Sequence, residues 1–174
     1  DGDMATLANL NESDNAYTIT ISDTSVDASA LNTLDSKTTV KINAAAVTTL
    51  SGSASDLNTA YSSSGISGLG NETLNLTDTA LAASVLNTLD SNTTGVIDAS
   101  TVTTLTGSAS DLNTAYSSSG ISGLGNEAIL VDSGTSSVSL ANNLSAATSG
   151  IVSATLSDGD MATLANLSEN DNAY

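Results

Sequence analysis

Four groups of residues in this chain have types and spacings that chemistry uses. Asp1-Gly2-Asp3 and its copy Asp158-Gly159-Asp160 have the form of acid–glycine turns that hold calcium through hard oxygen ligands, and Glu12, Asp14, Glu169 and Asp171 follow nearby. Asp1, Asp3, Asp158 and Asp160 are therefore the candidate metal ligands, with calcium the one possible cofactor. The same residues also suit a glycine turn whose Asp caps a helix, and neither the GGxGxDxxx nonapeptide nor EF-hand spacing is present. A second group is the carboxylates recurring at Asp23 and Asp78 and at Glu72 and Glu127, which raise the thought of a paired-acid hydrolase. Against it, a tandem array repeats every candidate where an enzyme needs one distinguished site. The chain also lacks the His, Cys and Arg that activate nucleophiles or clamp oxyanions. The reading is that the protein is not an enzyme. Thr-rich strands suggest a ladder of hydroxyls for ice or carbohydrate, but Thr20 is followed at the expected equivalent places by Lys41, Asn75 and Val96. Sequons beginning at Asn11, Asn71, Asn75, Asn92, Asn143 and Asn166 arise from composition in so Asn-, Ser- and Thr-rich a chain.

These groups sit in a repeat. Residues 1–17, DGDMATLANLNESDNAY, return at 158–174 as DGDMATLANLSENDNAY, and GSASDLNTAYSSSGISGLGNE occurs unchanged at 52–72 and 107–127. LNTLDS at 31–36 recurs at 86–91, which sets a module of 55 residues; a third, worn copy of 47 completes a period of 157. Residues 1–17 thus read as the end of a preceding repeat, 18–72 as repeat 1, 73–127 as repeat 2 and 128–174 as a shortened repeat 3, all in one continuous solenoid. Each such module packs only on its neighbours, so the device builds length.

Composition narrows the partners. Lys37 and Lys41 are the only basic residues against 19 acidic ones, for a net charge of −17, and His, Cys, Pro, Trp and Phe are absent. Nucleic acid and anionic membrane both require Lys or Arg, which disfavours them. No apolar stretch approaches a membrane span. Regularly spaced Leu, Ile and Val provide apolar surface to bury, but a core without Phe or Trp must be thin, which suits a solenoid one sheet and one facing layer across.

Each module divides into two strand-then-helix halves. Alternation at 18–22 and 73–77 puts Ile19, Ile21, Leu74 and Leu76 on one strand face. VDASALNTLD and LAASVLNTLD follow, with Val26, Ala30, Leu31 and Leu34, or Leu81, Val85, Leu86 and Leu89, on one helical stripe; Asp23 and Asp78 stand between, as turn or cap residues. The second halves begin at 40–43, 96–97 and 151–152 and run into GSASDLNTAY, with Ala54, Leu57 and Tyr61 on a helix face; SSSGISGLGNE is a returning loop. Strands joined by short crossovers form parallel sheets. The expected fold is an α/β solenoid, a parallel sheet of about six short strands with short helices on one side, the alternative being a parallel β-helix. Pointing away from the helices would be Thr18, Thr20, Lys41, Thr73, Asn75 and Thr77, and also the apolar Val96, Leu130 and Ile151. Either the register slips by one in the worn coils, or these three mark a lateral interface.

Strings of the type LNTLDSNTTGVIDASTVTTLTGSASDLNTAY, at 86–116 with a relative at 31–61, resemble the Asp/Ala/Thr/Ser-rich tandem repeats of long surface and secreted proteins of marine bacteria, cyanobacteria among them. The resemblance implies an extracellular or cell-surface array with roles in adhesion, coating or filament building. The expected function is a structural one, a filament, stalk or coat built by end-to-end continuation. Its partner is the protein itself, end to end or laterally. The alternative is an adhesin arm that binds glycan or a partner cell through its sheet face.

Overall fold

The computed structural model describes residues 2–11, 13–168 and 171–174. The chain is an α/β fold in which every paired strand is parallel and short helices run alongside. Its elements, in order, are α1 (Met4–Leu7), β1 (Ser25–Asp27), α2 (Ala28–Asp35), β2 (Ile42–Asn43), β3 (Thr49–Gly52), α3 (Ala54–Ser62), β4 (Ile66–Ser67) and β5 (Thr73–Leu76). There follow β6 (Ala80–Ala82), α4 (Ala83–Asn92), β7 (Ile97–Asp98), β8 (Thr104–Ser108), α5 (Ala109–Ser117), β9 (Ile121–Ser122), β10 (Ala128–Ser133), α6 (Val138–Ala147), β11 (Val152–Ser153) and α7 (Met161–Leu164).

Two compact units share these elements, residues 1–77 with 89–98 and residues 78–88 with 99–174. In the first, β1, β3, β5 and β7 pair in that order, and β2 pairs with β4. In the second the order is β6, β8, β10, β11. Register repeats: Ser25 pairs with Thr49 and Thr49 with Thr73; Ala80 pairs with Thr104 and Thr104 with Ala128. Each step is 24 residues, so the 55-residue module exceeds two steps by seven (55 − 48). Strand β5 absorbs the mismatch, its Leu74 pairing with Leu50 on one side and Ile97 on the other.

The expected helices at LNTL and GSASDLNTAY are present. The expected six strands are instead eleven short ones among the described residues, because a strand also precedes each long helix. The hydroxyl-rich stretches TTLSG and TTLTG were read as lead-ins to helices, but they alternate in burial around Leu50 and Leu105 as strands do. Val26 and Leu81, expected on helix stripes, lie in strands; Ala28, Leu31 and Leu34 make the buried stripe of α2. The 18–22 segment makes only single parallel bridges, Thr20 to Asn43 and Ile21 to Gly2. Within the returning loop lies β4.

The core is one aliphatic side chain per rung. Val26, Leu50 and Leu74 are buried in adjacent rungs of one unit, as are Leu81, Leu105 and Ile129 in the other, each against a helix Leu such as Leu31, Leu57 or Leu112. Burying one such side chain contributes about 1.5–3 kcal/mol, so the fold depends on repetition of a thin core. Helix starts are fixed locally: Ser53 Oγ accepts from the Asp56 amide at 3.1 Å and donates to its carboxylate at 2.6 Å, a reciprocal cap repeated by Ser108 and Asp111.

Candidate functional site

The acidic residues singled out in the sequence are occupied by the chain's own backbone. Asp3 caps α1, accepting from the Thr6 amide at 2.8 Å, and Asp160 does the same for α7 with Thr163. These hydrogen bonds hold both carboxyls below the usual carboxylate range. Asp158 reaches the amide of Val138, the first residue of α6, at 2.7 Å. Asp1 lies outside the described residues. Among the described residues no three His, Cys, Asp or Glu side chains come together as a metal site. Asp23, expected to serve its own turn, instead accepts from the Met4 amide at 2.6 Å, nineteen residues back. The cap of α2 is Asp27, which accepts from Ala30 and Ser29; those bonds lower its carboxyl's pKa.

Glu72 and Glu127 do not pair as a hydrolase dyad. Each is fully buried and bound to its own tyrosine: Tyr61 Oη donates to Glu72 at 2.6 Å, and Tyr116 Oη to Glu127 at 2.7 Å. The Gly70 and Asn71 amides donate to the Glu72 carboxylate, and the Gly125 amide to that of Glu127. One coil on, Thr93 donates its hydroxyl to the Glu72 carbonyl and accepts from the Gly95 amide; Thr148 does likewise with Glu127 and Gly150. The result is a niche linking a helix end, a loop and the next coil, built identically twice. Only the exact recurrence of Tyr and Glu eleven residues apart hinted at it in the sequence.

The niche makes a testable demand at high pH. Burial first, and then the neighbouring carboxylate, push the Tyr61 and Tyr116 phenols well above the ordinary 10.0. A folded-state pKa raised above the unfolded one gives stability that is complete below about pH 10 and drains away as pH climbs through the folded value. In an absorbance titration, two of the four tyrosines should stay protonated past pH 10 and ionise only with unfolding. The Tyr61→Phe/Tyr116→Phe variant should lose that late step.

A second device was missed. Asn32 Nδ2 donates to the Asp56 carbonyl at 2.9 Å, Asn87 to that of Asp111 at 3.0 Å and Asn142 to that of Asn166 at 2.9 Å, each tying one helix to the next. The Asn of LNTL and LANN reads in sequence as a mediocre helix former; its value is between helices.

The outer strand faces are what remains open. In the first unit they carry Ser25, Thr49 and Thr73 in one row and Asp27, Ser51, Asn75 and Asp98 in the next. The rows expected from the sequence were offset, since Thr20 stands beside Asn43 and not Lys41. In the second unit alanines interrupt the ladder: Ala80, Thr104 and Ala128 form one row, Ala82, Thr106, Leu130 and Ser153 the other. Val96, Leu130 and Ile151 are 47%, 44% and 58% exposed, while Ile97, Ile129 and Val152 beside them are buried. The register is therefore not slipped: the three apolar side chains face outward. No described helix is long and apolar enough to cross a membrane.

Fold and surface together define a parallel α/β repeat whose acidic and hydroxyl side chains mostly bind its own backbone. No family model, no curated protein and no solved structure matches the chain.

Proposed function

We propose that this chain is a structural repeat of an extracellular filament, stalk or surface coat, an α/β solenoid that continues coil upon coil. The observation that carries this reading is the constant 24-residue parallel register in each unit, coupled to a sequence whose last 17 residues restate its first 17. Coils so related extend without a change of geometry. The resemblance to tandem-repeat surface proteins of marine bacteria supports the extracellular setting. The acidic surface with only two Lys supports it as well. The outward Leu130 and Ile151 support lateral association of such rods, and the Ser25, Thr49 and Thr73 row keeps glycan adhesion as the second reading.

Electron microscopy across a concentration series tests the reading. Fibres of constant width with an axial repeat near 29 Å are expected, from six rungs at roughly 4.8 Å. Ile151→Asn should leave the fold unchanged, within about 0.5 kcal/mol as for other exposed positions, yet reduce lateral bundling of those fibres. Discrete short rods at every concentration would favour the adhesin arm, and unfolding of the variant would place Ile151 in the core.

A further inference from the structure

The two copies of DGDMATLANL display opposite faces of one coil. In the first copy the structure shows what packs on its downstream face. The Gly2 amide donates to the Thr20 carbonyl and the Ser22 amide to the Gly2 carbonyl; the Met4 amide donates to Asp23. At the far end the Thr39 amide donates to the Asn15 carbonyl, while Thr38 Oγ1 accepts from the Tyr17 amide at 3.1 Å and donates to its carbonyl at 2.8 Å. In the second copy the upstream face is on view. Asn142 bonds the Asn166 carbonyl and the Ser168 amide, the Val152 amide donates to Asn172 Oδ1, and the Ala173 and Ala154 amides complete a parallel bridge. Fifteen of 17 positions are identical, the differences being Asn11 against Ser168 and Ser13 against Asn170. Every group through which residues 1–17 hold 18–39 is therefore repeated in 158–174.

We propose that 158–174 of one molecule docks on residues 19–39 of a second copy, taking the seat of that copy's own residues 1–17. This deepens the filament reading and rests on it, since it names the joint. A junction of the observed kind has room for one such coil, but two molecules bring two, so one must leave. Residues 1–17 are suited to leave. None of their described side chains is buried, whereas each longer helix of the fold buries at least two aliphatic residues. Their seat is also loosely filled: a groove of about 150 Å³ remains between α1 and α2, lined by Met4, Leu7, Leu10, Ala30 and Leu34. Met161, the counterpart of Met4, is 78% exposed and would gain cover on docking. The exchange replaces one set of contacts with a near-identical set, so it has little enthalpic cost and is driven by concentration.

The chain has no cysteine, so engineered pairs report cleanly. Asn15 bridges Thr38 in parallel register, which sets exposed Ala16 beside exposed Thr39, at the separation a disulfide spans. Ala16→Cys/Thr39→Cys is the control and should close within one chain. Ala173→Cys/Thr39→Cys should instead give a ladder of covalent dimers and larger species on non-reducing gels, growing with protein concentration and collapsing on reduction. Circular dichroism of each pair against the parent chain verifies the fold, and Ala173→Ser/Thr39→Ser verifies that the positions tolerate change. If the second pair stays monomeric while the control closes, the exchange is overturned. If fibres of the unmodified protein form all the same, the filament reading stands with a different joint; if they do not, that reading falls separately.

Discussion

Gly95→Ala and Gly150→Ala should each destabilise the protein more than any other single methyl group added to its loops. A Cβ built on Gly95 runs into the carbonyl oxygen and carbon of Glu72, and one on Gly150 meets the same atoms of Glu127. The obstruction is main chain, not the end of a flexible side chain, so relief requires the coils to separate. The same carbonyl accepts from Thr93, whose Oγ1 also takes the Gly95 amide, so moving either strand breaks that pair of bonds. By comparison with other steric and network-breaking substitutions the cost should be at least ~3 kcal/mol. For a chain of this length that is a fall in Tm of about 6–12 °C, read by calorimetry. Because the niche is built twice, the two variants should agree closely. Gly134→Ala, where an added Cβ meets nothing but φ is +77°, is the comparison: a backbone penalty without a clash.

That niche marks the limit of what the residues reveal when read in order. The repeat hierarchy, the parallel pairing, the helices at LNTL and GSASDLNTAY and the outward Val96, Leu130 and Ile151 all follow from period and alternation, which are local properties of sequence. What escaped is whatever depends on the step between coils. That step is 24 residues and the module 55, so residues at equal places in the repeat are not neighbours in the sheet. Thr73 looks like the start of a second module and is the third rung of a sheet begun at Ser25. For the same reason Asp23 reads as a turn residue for its own helix, yet reaches back to Met4. Glu72 reads as a surface acid in a polar loop. Nothing local in SGLGNE says that the next coil will close over it, or that Tyr61 will be waiting.

Glu72→Ala should show how much that burial is worth. The substitution leaves the Tyr61 hydroxyl and the Gly70 and Asn71 amides without their acceptor in a site water does not reach. A buried charge so well satisfied is costly to remove from one side only, about 3–5 kcal/mol by analogy with broken buried pairs. Glu72→Gln keeps the shape and one acceptor oxygen, so it should cost less, about 1–2 kcal/mol. Tyr61→Phe alone deletes a hydrogen bond to a charged group and should cost about 1.5–3 kcal/mol. In the Glu72→Ala background the same Tyr61→Phe change should cost almost nothing, because the hydroxyl has already lost its acceptor. The double-mutant cycle therefore reads the coupling directly. Additive losses would instead mean that the two side chains stabilise the coil through separate packing, and that the carboxylate is held by the loop amides alone. Strong coupling would make Tyr61 and Glu72 one staple, present once per module, by which an acidic chain with almost no cations puts its carboxylates to structural use.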